Sequence, residues 1–295
     1  MKERLARIDK RSLGYMLAFA SAATGAVRYN LAVYADLRGF GHVWFLFGML
    51  IIGVLSAGIH VGVEDGWAGL RKLKGHRNAL LYGVLMGWST LATFLALDYL
   101  NETVMSSLQQ TSILVTLVLA VWLLGERFTK AQWIATTIIC VGILAFRPWS
   151  GETRAIGVTI ILSGAVTGAM ASVGAKRWVV GIPPRILMLW RNSVALIITG
   201  AWILFAEGGT PILTFWTVVA CIAAGILGPY LHGLTFLMAL QRIDAGKAAL
   251  MSRVQPVIVF LVSWAFLSRT PAGEDIWGGV LLVVGVVILA LTRKK

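Results

Sequence analysis

Ala22-Ala23-Thr24-Gly25-Ala26 and Ala165-Val166-Thr167-Gly168-Ala169 carry one pattern twice, 143 positions apart, and the same register holds along the rest of the chain. Gly14 meets Gly157, Ala96-Leu97 meets Ala239-Leu240, and Gly142 meets Gly285, without a gap. Each copy holds five apolar segments, so an odd number of crossings returns the second copy to a membrane upside down. Such inverted repeats are a common plan of secondary transporters, with the solute site near the bilayer midplane where the halves meet. The reading is an all-α integral membrane protein of ten spanning helices. Residues 1–147 form the first five-helix repeat and residues 148–295 the second, inverted one.

Composition agrees. Hydrophobic residues make up 58% of the 295 residues and charged ones 13%, about half the share of a soluble domain. Apolar stretches run over 13–35, 43–63, 78–98, 103–124, 131–147, 155–175, 185–206, 213–240, 246–267 and 276–292. Most reach the roughly 20 residues that span a bilayer as helix, and lipid leaves backbone polar groups no other partner.

The net charge of +13 would point to nucleic acid in a soluble protein, but here the cations sort by side. Only Arg38, Arg147, Arg154 and Arg269 fall on one set of loops, and Arg28, Arg191 and Arg253 lie within apolar segments. All the other lysines and arginines gather on the opposite set. That bias places both termini in the cytoplasm, and no nucleic-acid partner is expected. Ala18-Phe19-Ala20 loosely resembles a signal-peptidase site, yet the apolar run continues past it and recurs as the sixth segment, so it is read as a retained first helix. Cys140 and Cys221 have no metal or redox spacing and read as small buried residues. A Walker A sequence, a zinc spacing and a nucleophile elbow are absent, so no cofactor or metal is expected, and ATP-driven transport and hydrolysis lose support.

Leu123-Leu124-Gly125-Glu126-Arg127-Phe128, followed by Gln132-Trp133 and Gly142-Ile143-Leu144, resembles the end of the fourth helix and the fifth helix of EamA-type proteins. These belong to the drug/metabolite transporter superfamily. Gln255-Pro256-Val257 and Trp190-Arg191-Asn192 resemble that family's ninth and seventh helices. The resemblance implies a ten-helix fold and membrane solute transport, often export of metabolites or amino acids, without naming the solute. The copies have also diverged: Gly48 stands where the repeat matches Arg191, and Ile113 where it matches Pro256.

Charges inside a membrane are costly and tend to mark function. The acidic residues all fall in loops or at helix ends, whereas three arginines lie within apolar segments. This balance favours a carboxylate over a cationic solute. Arg28 lies deepest, its alternative role being a salt bridge to Asp36 or Asp98. Arg191 and Arg253 are near enough to cytoplasmic loops to snorkel outward, which favours a structural or gating part for them. Gln109, Gln110, Asn30, Trp88, Tyr230 and His232 are candidate cavity residues beside Arg28 and Arg253, each reading equally as packing or interfacial belt. His60 and His232 could take up a proton, or serve as hydrogen-bonded packing. Gly228-Pro229 and Pro256 break the eighth and ninth helices, as a hinge or binding-site feature or as plain kinks. Thr24, Gly25, Thr167 and Gly168 form smooth faces on the first and sixth helices that let helices approach and slide.

The functional expectation is a secondary transporter, exporting amino acids or related carboxylate-bearing metabolites across a bacterial inner membrane by alternating access. A transporter of another solute class within the same fold, such as a hydrophobic drug, a nucleoside or a vitamin, is the alternative. A membrane enzyme or scaffold is the reading from another class. Oligomeric state and energy coupling are not written in the chain.

Overall fold

The computed structural model describes residues 10–69, 76–100, 105, 108–109, 111–125, 128–145, 155–178, 182–206, 209–267, 277, 280–281, 284–285 and 288, and its regular elements are all helical. They are α1 (Lys10–Asp36), α2 (His42–Gly69), α3 (His76–Ala96), α4 (Ser112–Leu124), α5 (Lys130–Ala145), α6 (Ala155–Trp178) and α7 (Pro184–Ala206). Two composite helices follow. In α8, Phe215–Gly225 passes through a π segment, Ile226–His232, into Gly233–Leu240; in α9, Ala245–Met251 passes through a 3₁₀ turn, Ser252–Val254, into Gln255–Leu267. Of the expected tenth segment, Trp277, Val280, Leu281, Val284, Gly285 and Ile288 are described, all helical; its other residues lie outside the described ones.

Five described spans, His42–Gly66, Arg77–Ala96, Ala155–Lys176, Pro184–Ala206 and Phe215–Leu240, are long and apolar enough to cross a membrane. Their outer faces stay oily: Val63, Leu204 and Phe205 are 78%, 82% and 91% exposed, a surface that suits acyl chains rather than water.

Local chemistry sets the helix ends. Thr214 caps α8 through a reciprocal box with Thr217, and Thr129 and Gln132 make the same exchange at the start of α5. The Gln132 of the family motif is therefore an N3 capping residue. Gly125 ends α4 at φ 65°, its N–H returning to Ala120 and Val121 carbonyls, a left-handed cap that favours glycine.

The two copies pack alike. The α3 helix lies on α6 as α8 lies on α1; α4 lies on α6 as α9 on α1; and α3 lies on α7 as α8 on α2. The equivalence reaches single contacts. A Cβ at Gly14 would strike Ile243 and Arg242, and one at Gly157 would strike Tyr99 and Leu100, the partners also being 143 positions apart. These contacts sit at opposite ends of the bundle. One end gathers His42 with Asp36 and Asp98, Ile212 with Gly39 and Trp44 with Gly209. The other gathers Arg185 with Asp65, Lys176 and Lys247 with Asp244 and Gly246 with Phe128. The α1 and α6 helices therefore run in opposite directions, as an inverted repeat requires.

Helix breaks obey the same register. At Thr111 the backbone bonds run three residues back, Thr111 N–H to Leu108 O and Leu114 N–H to Thr111 O. One repeat later stands the 3₁₀ turn Ser252–Val254, where Gln255 N–H reaches the Ser252 carbonyl that Pro256, lacking an amide proton, cannot. Pro229 widens α8 into its π segment, and its carbonyl accepts from Asn192 Nδ2 at 3.2 Å. The same nitrogen donates to the Gly53 carbonyl at 3.2 Å, so fully buried Asn192 ties α2, α7 and α8.

Small residues make the interfaces close. A Cβ at Gly168 would lie 2.6 Å from Ser89 Oγ, and one at Gly87 2.9 Å from Ile198. Gly168→Leu should overpack the α3–α6 contact and lower the thermal midpoint in detergent by about 5 °C or more. Gly58→Ala, where a Cβ meets Leu189 only at 4.0 Å, should leave it within about 2 °C. Asn192→Ala strands two carbonyls and should cost about 1–3 kcal/mol, read as a lower midpoint with unchanged helix content by circular dichroism.

Candidate functional site

The middle of the bundle holds a partly open cavity of about 130 Å³. Arg28 and Tyr29 enter it from α1, and Tyr82, Met86, Ser89, Thr90 and Thr93 from α3. Gln109 and Ser112 come from the fourth segment, Gly164, Ala165, Gly168 and Ser172 from α6, and Arg191 from α7. His232, Gly233 and Phe236 of α8 and Ser252 and Gln255 of α9 complete the wall. Much of the lining is built from repeat-related pairs: Ser89 with His232, Thr90 with Gly233, Thr93 with Phe236, Gln109 with Ser252, Ser112 with Gln255. The cavity therefore sits on the axis relating the halves, and among the described residues no Asp or Glu lines it.

Arg28 is 7% exposed and Arg191 4%, and neither guanidinium has a carboxylate partner among the described residues. Both acids expected as partners for Arg28 face His42 instead, Asp98 at 3.0 Å and Asp36 at 3.6 Å. Arg28 Nη2 donates to Tyr29 Oη at 2.8 Å, with the guanidinium carbon 4.7 Å from that ring's centre, while its buried Nε has no partner among the described residues. Arg191 Nη1 has only the Met188 sulfur at 3.9 Å. The snorkelling expected of Arg191 does not occur, because its side chain turns into the cavity beside α8.

One polar relay crosses the cavity wall. Tyr29 Oη donates to Gln109 Oε1 at 2.9 Å, Gln109 Nε2 to Thr93 Oγ1 at 2.8 Å, and Thr93 Oγ1 to the Ser89 carbonyl at 2.8 Å. It joins α1, the fourth segment and α3 while holding Arg28 at its head. His232 is fixed by Ser21: the ring Nδ1 lies 2.7 Å from the Ser21 carbonyl, and Ser21 Oγ donates to the His232 carbonyl at 2.9 Å. A carbonyl accepts only, so Nδ1 carries the proton. Gly25 makes the contact feasible, since a Cβ there would lie 2.6 Å from that nitrogen.

Of the sequence candidates, Arg28, Gln109, His232, Gly168 and Arg191 meet at this cavity, and Gly228 backs it, its Cα passing so close that a Cβ would be 3.0 Å from Arg28 Cδ. Others point elsewhere. Asn30 Nδ2 donates to the Val259 carbonyl at 3.3 Å and lines a separate apolar crevice with Leu31, Tyr34 and Trp216. Trp88 donates to Ser163 at 3.1 Å, packing α3 onto α6. Tyr230 Oη meets His60 Nδ1 at 2.7 Å, away from the cavity lining, so both histidines have partners that sequence did not reveal. Thr24 and Thr167 fold their hydroxyls onto carbonyls three and four residues back in their own helices. Gln110 and the side chains of Arg253 and Pro256 lie outside the described residues. Tyr29, Tyr82, Ser89, Thr90, Thr93, Ser112, Ser172, Ser252 and Gln255 were missed as site residues. The repeat register finds part of them, since Tyr29 pairs with Ser172, Ser89 with His232, Gln109 with Ser252 and Ser112 with Gln255, polar at both places; Tyr82, Thr90 and Thr93 carry no such signal.

Comparison with known proteins matches this picture. The EamA-like transporter family matches residues 12–147 and again 155–291. An uncharacterized transporter of Synechocystis sp. is 23% identical over 219 residues, 68% of this chain and 61% of that protein, so the chain spans about three fifths of that relative's length. The pseudopaline exporter of Pseudomonas aeruginosa is 24% identical over 220 residues, 73% of this chain and 75% of that one. A solved crystal structure superposes with a TM-score of 0.78 at 18% identity, over 95% of this chain and 97% of the other, which shows the fold alone. With the family pattern met twice along a duplicated helical bundle, this chain belongs to the EamA-like transporter family.

Proposed function

We propose that this protein is a secondary carrier for amino acids or related carboxylate-bearing metabolites, bound in the central cavity and moved by alternating access of the halves 1–147 and 148–295. The observation that supports it is the pair of buried guanidiniums facing one cavity with no acidic residue among the described residues of its lining. An uncompensated arginine within a membrane costs roughly 3 kcal/mol on insertion scales, a cost that a bound carboxylate offsets through charge-assisted hydrogen bonds. At about 130 Å³ the space is well below the roughly 300–1,000 Å³ of drug-sized sites, which speaks for a small metabolite over a hydrophobic drug in this state.

The end of the bundle bearing Lys176, Arg185, Arg242 and Lys247 is read as cytoplasmic. That reading puts both termini on the cytoplasmic side of a bacterial inner membrane. Export as the direction draws support from the relative named as a pseudopaline exporter. The tight crossings at Gly25 and Gly168 serve as the surfaces on which the halves move, and we read the chain as a carrier rather than an enzyme.

Uptake of labelled carboxylates into proteoliposomes, with and without a pH gradient, tests the reading. Saturable flux competed by other carboxylates is expected, and Arg28→Gln should lower it by about tenfold or more at normal expression and melting temperature. Absence of saturable flux for every carboxylate, with flux of a cation or nucleoside instead, would overturn it.

A further inference from the structure

We infer that the solute carries two acidic groups, one engaged by Arg28 and the other by Arg191. This rests on the carrier reading above and narrows its solute class from carboxylates in general to dianions.

The argument begins with the donors left over. A guanidinium is a fork of N–H groups with no acceptor of its own. Arg28 spends one of its nitrogens on Tyr29 Oη, Arg191 has nothing better than a thioether, and Arg28 Nε is buried without a partner among the described residues. Neither residue belongs to an ion pair among the described residues. Two such groups in one lining need two negative charges for neutrality. A single carboxylate neutralises one, and a zwitterionic amino acid adds an ammonium for which the described residues of the lining hold no Asp or Glu.

The eighth helix sets where the two charges stand. Arg28 rests against Gly228, and Arg191 Nη1 sits where a Cβ at Gly233 would be. In a regular α-helix, positions five apart point in different directions, but a π turn closes hydrogen bonds five residues apart and brings them near one face. The π segment Ile226–His232 thus turns Gly228 and Gly233 toward the same side. The Arg28 stem and the Arg191 guanidinium therefore lie against the same side of α8, five residues apart along it. Both positions are glycine because each backs onto an arginine side chain. Two guanidiniums lining one small cavity suit a molecule with two acid groups.

The scaffold shows that the second charge is an addition. The repeat counterpart of Arg28 is Ala171, fully buried in the core, and that of Arg191 is Gly48, where a Cβ would already lie 3.0 Å from Cys221 Sγ. The fold therefore packs well without a cation at either equivalent place.

The test compares linear dicarboxylates of increasing length (succinate, glutarate, adipate) with their half-amides, which keep size and shape but lose one charge. Each is assayed on the purified full-length protein by thermal stabilisation and by counterflow in proteoliposomes. At least one dicarboxylate should act at about tenfold lower concentration than its half-amide, a ratio expected for one charge-assisted contact. In Arg191→Gln that ratio should fall to about two or less, and Arg191→Lys should restore part of it. Equal action of diacid and half-amide on the native protein would overturn the inference while leaving a one-carboxylate carrier standing. No response to any diacid, half-amide or monocarboxylate would remove the carrier reading with it. The native-protein comparison decides the matter even where a variant fails to fold.

Discussion

At Gly25 a Cβ would stand 2.6 Å from His232 Nδ1, and at Gly168 2.6 Å from Ser89 Oγ. These two crossings, one per copy, set the distance between α1 and α8 and between α6 and α3, and everything at the cavity depends on them. Only glycine lets a polar side chain from the facing helix lie against the backbone at that depth. In lipid, where helix association draws on close packing more than on the hydrophobic effect, such contacts are a main source of cohesion. They also place polar atoms at the midplane. Ser21 and His232 can exchange hydrogen bonds because Gly25 removes the bulk between them, and the Ser89 hydroxyl reaches the cavity over Gly168.

The scaffold was legible because it is periodic. Apolar stretches of about the right length, a register of 143 positions and a one-sided distribution of lysine and arginine are properties of many residues, so single exceptions do not obscure them. The helix breaks were legible for the same reason at Gly228-Pro229, where loss of an amide donor must disturb the backbone whatever surrounds it. The site was only partly legible. Arg28, Gln109 and His232 stood out as polar residues in oil, but Trp88, Tyr230 and Asn30 stood out equally and turned away. Which face of a helix a residue occupies depends on the crossing partners. Trp88 and Ser89 are adjacent, and a rotation of one position decides that the serine meets the cavity while the indole packs on α6. Arg191 was misjudged because its distance from a helix end was counted along the axis. Its direction follows from Gly233, a residue that carries no signal until α7 and α8 are seen side by side.

Symmetry and asymmetry have separate tasks in this molecule. Packing follows the repeat almost contact for contact, down to Gly14 against Ile243 and Gly157 against Leu100. Chemistry departs from it. Tyr29, Gln109 and Thr93 form a relay headed by Arg28, whereas their counterparts Ser172, Ser252 and Phe236 line the cavity without an arginine to head them, Ala171 standing in its place. On the proposed carrier reading, duplication followed by divergence at a few inward positions supplies both a scaffold whose halves can exchange roles and a site that need not.

The electrostatics of the cavity bear on how such a carrier keeps from moving empty. Coulomb interactions strengthen as water leaves, since their energy scales inversely with the local dielectric. Closing the cavity around two unpaired guanidiniums would strand like charges in a low-dielectric space, whereas closing it around bound acid groups encloses paired ones. A water-filled open state tolerates the bare cations, and a closed state does so only with counter-charge. On the proposed carrier reading, the same two arginines bias occlusion toward the loaded protein. The relay through Tyr29 and Gln109 couples this bias to the backbone, because it ties Arg28 to α3 and to the fourth segment beside the break at Thr111. Charge neutralisation at Arg28 is thus felt where the helix is already interrupted, and bending there disturbs the fewest regular backbone hydrogen bonds.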